Sequence, residues 1–454
     1  AGSDPVLEYF TDAGGGSLLA IAGLPVTSGQ TVTLTSGGAI GSQSSLSAAG
    51  TLVAPVGVDL GSAQALVTGL VGGLELLVDS GGGYGSIAIL SDTSTRYLAD
   101  VSDSVGFSIS GTHYIATLSS TENGVKLAQI SSSSLAQVDA LGAAEGLPIA
   151  TPTEIDAIQR LGETTLIVGS FGTSSLSTVK VDSTGALLIS DHILDSPGAF
   201  VQGVSAIDAV TYGDFAFFAA AGADGGVSLF SVLPGGRIIF LDSIADDAAT
   251  TLYRVSAIEL TVTGARLDVL VSSAWEAGVT RISYDLSTLG SVLLAPTMGG
   301  GVTGTLADDQ IIGSSLNDTL IGGAGQDTIA DGAGEDELHG GSGADLFVMH
   351  ADGQSDTIMD FDRTQDRMDL SAFDFLYDVS QLSVTPTADG AILTHGAETI
   401  VLHTSDNAPL TAAELTNEMI LNVDRPPLLP VAQELVGTAA ADTLNGASGN
   451  DTIS

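Results

Sequence analysis

From about residue 6 to residue 296, short apolar runs alternate with turn residues at close spacing, and long helical patterns are nearly absent. That rhythm predicts short β-strands joined by tight turns. The rhythm itself recurs. Leu176 in SLSTVKVDSTGALL falls onto Val227 in VSLFSVLPGGRII, 51 residues later, and VSAID at Val204 returns as VSAIE at Val255. A strand ending in small residues precedes each copy: LIVGS at Leu166, FAFFAAAG at Phe215 and LDVLVSS at Leu267, with weaker copies at Tyr114 and Leu74. Each unit reads as four short strands in about 50 residues, the pattern of a propeller blade. Five units span residues 58–296, and residues 6–57 supply a sixth. The expectation is an all-β chain opening with a β-propeller of six blades. Seven is the alternative count, and a stacked solenoid or sandwich the alternative architecture.

At Gly304 the period drops to nine: GTLADDQII, GSSLNDTLI, GGAGQDTIA, DGAGEDELH, GGSGADLFV. The sixth place is always acidic (Asp309, Asp318, Asp327, Asp336, Asp345), and the eighth is aliphatic or aromatic (Ile311, Leu320, Ile329, Leu338, Phe347). Six residues make a turn whose carbonyls can face inward, because glycine tolerates angles that other residues resist. The next three make a strand with one side chain in a shared core. Stacked turns then gather carbonyls and carboxylates into an all-oxygen cage suited to a hard cation such as calcium.

The five units resemble the GGxGxDxUx calcium-binding repeat of the RTX proteins, a parallel β-roll. The resemblance implies an ion between each turn and the next turn on the same edge, two repeats on. Asp309, Asp327 and Asp345 would line one edge and Asp318 and Asp336 the other, with Asp356 donating to the last site. The turn glycines Gly322, Gly323, Gly325, Gly332, Gly334, Gly340, Gly341 and Gly343 belong to the same expected metal sites. The first two units lack the second and fourth glycines, which weakens their sites. The resemblance also implies a bacterial protein exported to the cell surface or medium by a type I system that reads an uncleaved C-terminal signal.

The rest of the chain orders itself around these two periods. Residues 1–297 form the propeller-like domain and 298–303 a glycine-rich linker. Residues 304–423 form the roll with its cap. In that cap Phe361, Leu370 and Phe373 plug the open end, a hairpin and strand follow from Leu382, and a short amphipathic helix starts near Leu410. Residues 424–436 are a proline-rich spacer. Residues 437–454 restart the nine-residue pattern with Asp442 and Asp451, two further expected metal-site residues. The sequence stops inside that array and reads as part of a longer polypeptide, any export signal lying beyond it.

A formal charge of -43 and a pI near 4.1 argue against nucleic acid and anionic membranes and favour cations. With no cysteine, disulfide and thiolate chemistry are excluded. AGSDPVLEYF lacks the features of a secretory signal peptide, and no apolar run is long enough to span a bilayer.

Catalytic signals are thin. The six histidines show no zinc-binding spacing, and no nucleophile elbow or phosphate-binding loop is present. His113 and His192 read as strand-edge histidines that could also approach the propeller axis, where Glu75, Asp208 and Glu259 are channel candidates. Trp275, the only tryptophan, reads as a core or blade-edge residue, with a carbohydrate site as the alternative. The reading is a secreted calcium-binding protein whose propeller is a rigid scaffold for an extracellular protein or glycan partner, folding independently of the roll. The alternatives are a secreted propeller lactonase or esterase and a self-assembling subunit of an extracellular layer or filament.

Overall fold

Small residues at the ends of blade strands prove to have a structural task. The structure, a computed structural model, describes residues 53–426 apart from 61–63, 71, 80–83, 94–96, 197 and 424, together with the backbone of strands outside that range. The chain is nearly all-β. Antiparallel four-stranded meanders follow one another at residues 53–91, 101–142, 152–194 and 206–245; the first is joined by a short parallel pairing to a backbone meander at 5–47, making one eight-stranded sheet, and a three-stranded sheet follows at 255–285. Leu66, Leu77, Ile115, Leu127, Leu166 and Phe218 are fully buried in the middle strands of these sheets. Middle strands of the four-stranded meanders hide both faces, which explains why strands such as FAFFAAA are continuously apolar.

One left-handed residue stands within three residues of the start of each first strand: Ala54, Asp100, Thr151, Gly203 and Arg254, with φ between 42 and 55°. Only glycine adopts this region without steric cost. A hydroxyl from the end of the second strand holds the carbonyl just before it. Thr68 donates to Val53, Ser119 to Ala99, Ser170 to Ala150 and Ser273 to Tyr253. In the one unit where this place is Ala221, the left-handed residue is Gly203. The hydroxyl thus holds strain that glycine would not have. Ser170→Ala should cost about 1–3 kcal/mol, and adding Thr151→Gly should restore part of it by relieving φ. Denaturant melts of the two variants check this; no recovery in the double variant would remove the link.

The chain divides into two compact units, residues 1–191, 202–207 and 428–454 in one and 192–201 and 208–427 in the other. The first holds cores shared between neighbouring sheets, such as Val67, Leu74, Leu98 and Ile115, and Leu127, Leu141, Ile155 and Val168.

In the second unit lies a parallel β-roll of two facing sheets. One contains β1 (Leu289–Leu294), β3 (Asp308–Ile312), β5 (Thr328–Ala330), β7 (Leu346–Val348) and β9 (Arg367–Asp369) in that order. The other contains β2 (Gly300–Thr303), β4 (Asp318–Ala324), β6 (Glu337–Ser342) and β8 (Ser355–Phe361), and then β12 (Glu398–Thr404), β11 (Gly390–His395) and β10 (Ser383–Pro386). Register advances by 18 residues per rung: Ile311 pairs with Ile329 and Ile329 with Phe347, while Leu320 pairs with Leu338. All five eighth-place side chains are fully buried in one core, closed by Phe361, Leu370 and Phe373. The only α-helix among the described residues is Asn417–Ile420, shorter than the amphipathic pattern from Leu410 predicts.

The roll starts earlier than its nine-residue pattern. β1 continues the fifth meander in sequence but pairs in parallel with β3, and β2 occupies the glycine-rich stretch expected as a linker. Both serve the same need: the first repeats require rungs beneath them, and Leu293 and Val302 pack on the roll core. Within this unit the roll also meets the fourth blade-like sheet. Leu233 and Ile239 of its hairpin form a buried cluster with Ala330 and Val348 on the outer face of β5 and β7. Gln310 donates to Ser231 at 2.9 Å, and Asn422 pairs with the Phe240 backbone. The roll therefore has a second buried cluster, outside its own core, in common with the fourth blade-like sheet.

Candidate metal centre

Along each edge of the roll the sixth-place carboxylates form a ladder. Asp327 Oδ1 accepts the Asp309 N–H at 2.8 Å, Asp345 accepts that of Asp327 at 2.9 Å, and Asp366 that of Asp345 at 3.0 Å. On the other edge Asp336 accepts the Asp318 N–H at 2.7 Å and Asp356 that of Asp336 at 3.0 Å. All of these carboxylates are buried.

The second oxygens divide the turns into two kinds. Asp309 Oδ2 accepts the Thr305 N–H and Asp318 Oδ2 that of Ser314, four residues back in their own turns. Asp327, Asp336 and Asp345 each keep a buried Oδ2 without any hydrogen-bond partner. Their turns carry the glycines the first two lack. Gly323 and Gly325 have φ of 112 and 123°, and Gly332, Gly334, Gly341 and Gly343 are likewise left-handed. A side chain at Gly341 would put its Cβ 2.1 Å from the Gly323 carbonyl oxygen, so only glycine lets these turns stack. At Gly322 a Cβ would fall 2.4 Å from Asp327 Oδ2 and 2.5 Å from the Gly340 carbonyl oxygen; at Gly340 it would fall 2.5 Å from Asp345 Oδ2. At Gly322 the missing side chain thus leaves a carboxylate oxygen and a stacked carbonyl oxygen facing the same place.

A buried polar atom without a partner costs about 1–3 kcal/mol, more when charged. Burial pushes Asp327, Asp336 and Asp345 up to about 6; the N–H that each accepts pulls the other way, and neighbouring carboxylates add to the push. Burial and the Asp331 carboxylate push Asp356 up to about 8. The donor set is entirely oxygen, which fits calcium. Among the described residues no group of three or more His, Asp or Glu side chains forms a ready metal cluster, so backbone carbonyls would have to complete the shell.

Residues 312–347 and 433–454 match the RTX calcium-binding nonapeptide repeat family, in four copies. These are RTX repeats. The RTX repeats are a calcium-binding motif, and the stretch 312–347 includes the three turns with orphan oxygens. Asp442 and Asp451 fall in the second match but outside the described residues. No curated protein matches the chain. Among solved structures it is similar to a functionally unknown protein from Desulfotomaculum acetoxidans at 11% identity, covering 63% of this chain and 86% of that one with a TM-score of 0.44. A Pseudomonas aeruginosa periplasmic gluconolactonase is similar at 13% identity, covering 61% of this chain and 85% of that one with a TM-score of 0.44. A putative 6-phosphogluconolactonase from Bacteroides uniformis shows 12% identity, 61% and 85% coverage and a TM-score of 0.43. At such values the likeness says nothing about activity.

Counting in nines finds Asp309 to Asp345 but misses Asp366, which continues the ladder 21 residues after Asp345 because its turn is longer. It misses Asp360, which accepts the Gly340 and Gly341 N–H groups, and Asp352, which accepts that of Gly334. The channel candidates scatter. Glu75 is fully buried in the third strand of its sheet, His192 is buried in a fourth strand, and His113 bonds Ser108. Asp208 and Glu259 do lie on first strands, where Asp208 accepts the Leu260 N–H. Trp275 is 68% exposed, not a core residue.

Two outcomes follow from the unequal oxygens. Asp327→Asn keeps the rung to Asp309 but removes charge from an orphan oxygen, and should weaken calcium binding about tenfold or more, the upper part of the range seen when ligand support is lost. Asp309→Asn should change it little. Calorimetric titration separates the two, and equal losses would overturn the distinction. The second outcome concerns pH. Because the folded values of about 6 to 8 lie above the ordinary 3.8, the metal-free roll is favoured below pH 4 and loses that contribution as pH rises through 6 to 8. Melts in chelator should show stability falling over this window, while calcium affinity rises as protons leave the ligands.

Proposed function

We propose that this is a secreted calcium-binding protein in which the roll completes its folding on extracellular calcium and the blade-like sheets serve as a rigid scaffold for a binding partner. The observation that carries the reading is the set of buried, partnerless oxygens on Asp327, Asp336 and Asp345, confined to turns with left-handed glycines at their second and fourth places. A chain of charge -43 gains most from a divalent cation at such places. RTX repeats are typical of secreted proteins, and no described helix is long and apolar enough to cross a membrane. Extracellular calcium modules bind at about 10⁻⁴–10⁻³ M, so such sites stay empty in the cytosol and fill outside. Export before folding would follow from that difference. Calcium titration followed by circular dichroism should show structure gained with a midpoint in that range. A flat response would end the proposal.

A further inference from the structure

The loops at one end of the fifth meander carry features that calcium binding does not use. Trp275 is 68% exposed and Tyr253 is 45% exposed. Between them lies the Arg254 guanidinium, its Cζ 5.0 Å from the Trp275 ring centre and 5.9 Å from that of Tyr253. The group is built rather than floppy. Ser273 Oγ donates to the Tyr253 carbonyl and accepts the Trp275 N–H at 2.9 Å, and the Glu276 carboxylate accepts the Tyr253 N–H at 3.0 Å. Arg254 occupies the strained left-handed place, at φ 53°, where a glycine would sit without cost.

Arg237, Arg266, Arg281, Arg363 and Arg425 each meet a carboxylate. Among the described residues Arg254, like Arg367, forms no ion pair, in a chain with 54 acidic and 11 basic side chains. An unpaired guanidinium offers a fork of donors shaped for a carboxylate. The aromatic faces beside it, negative at their centres, suit the C–H face of a sugar ring. A ligand with both features in one residue is a uronic acid.

We infer that Tyr253, Arg254 and Trp275 form a binding platform for an acidic, uronate-containing polysaccharide. The sugar face stacks on the indole, and its carboxylate pairs with Arg254. This rests on the scaffold reading above and names the partner's chemistry.

The test is calorimetric titration of the full chain, in calcium, with oligogalacturonate and with a neutral galactan oligomer of equal length. The acidic oligomer should bind, and the neutral one about tenfold more weakly or not at all. Trp275→Ala and Arg254→Gly should each weaken binding about tenfold or more. Arg254→Gly should melt at or above the parent temperature because its φ becomes unstrained, so loss of binding there cannot be loss of fold. Absence of binding, equal binding of the neutral oligomer, or an Arg254→Gly variant that binds like the parent through calcium bridging alone would each overturn the inference. Circular dichroism of the same samples keeps the two readings apart. An intact calcium response without saccharide binding overturns only the platform, whereas a missing response overturns the scaffold reading.

Discussion

Chelating calcium is expected to lower the melting temperature of the unit holding the roll by roughly 8–16 °C. Three orphan oxygens mark three places where a cation would replace an unmet interaction. At a tenfold excess over its dissociation constant each bound ion adds about 1.4 kcal/mol, so three add about 4 kcal/mol if independent. For a unit of this size each kcal/mol moves the midpoint by roughly 2–4 °C. The ladder argues against full independence, since Asp327 accepts from Asp309 and donates to Asp345. Filling one rung orders the next, and the loss on chelation should be cooperative. The Leu233, Ile239, Ala330 and Val348 cluster ties the fourth blade-like sheet to the outer face of the roll, so that sheet should melt with the roll. A calcium-independent melt of residues 208–427 would refute the metal sites. A calcium-sensitive roll beside an insensitive fourth sheet would refute the coupling through that cluster alone.

Replacing Asp369 should cost about 3–5 kcal/mol, the loss seen when a buried ion pair keeps one partner. Asp369 is fully buried at the end of β9. Its carboxylate meets Arg237 at 2.9 Å and Arg425 at 3.4 Å, and accepts the Ser371 N–H and hydroxyl. Burial alone would raise its pKa; the two guanidinium groups and Ser371 outweigh it and hold it down at about 2. The network's contribution is thus present above the ordinary carboxylate value and lost as pH falls through about 2. Arg237 comes from the hairpin turn of the fourth sheet, and Arg425 also donates to the Ile238 carbonyl, so the network locks roll to blade. Asp369→Ala would leave two cations facing each other in a dry site. Replacing Asp369, Arg237 and Arg425 together by Leu, Met and Met should recover most of the loss. Denaturant melts at neutral pH decide it. A loss below 1 kcal/mol in Asp369→Ala would mean that the network contributes little to the lock.

Periodic features were legible without coordinates, because in a stacked fold neighbours in space lie a fixed number of residues apart. A nine-residue period places Asp309, Asp327 and Asp345 on one edge, and pairs Ile311 with Ile329 and Phe347, through local turn geometry alone. The same logic exposed the 51-residue blades and the weakness of the turns at Thr305 and Ser314, where missing glycines forbid the left-handed angles. Tertiary structure decided whatever depends on two surfaces meeting. Nothing in the repeat tells that Ala330 and Val348 pack on a blade-like sheet while His339, also ninth in its unit, bonds Glu337 beside it. Asp369 and Arg237 are 132 residues apart, and no period relates them. The linker vanished into β2 because the first rungs need a floor, and Asp366 escaped counting because its turn is longer. Trp275 turned outward because the Ser273 latch and Arg254 hold it there rather than in a core. Local periodicity can be read along a chain, but which carboxylate oxygen lacks a donor depends on the packed backbone around it.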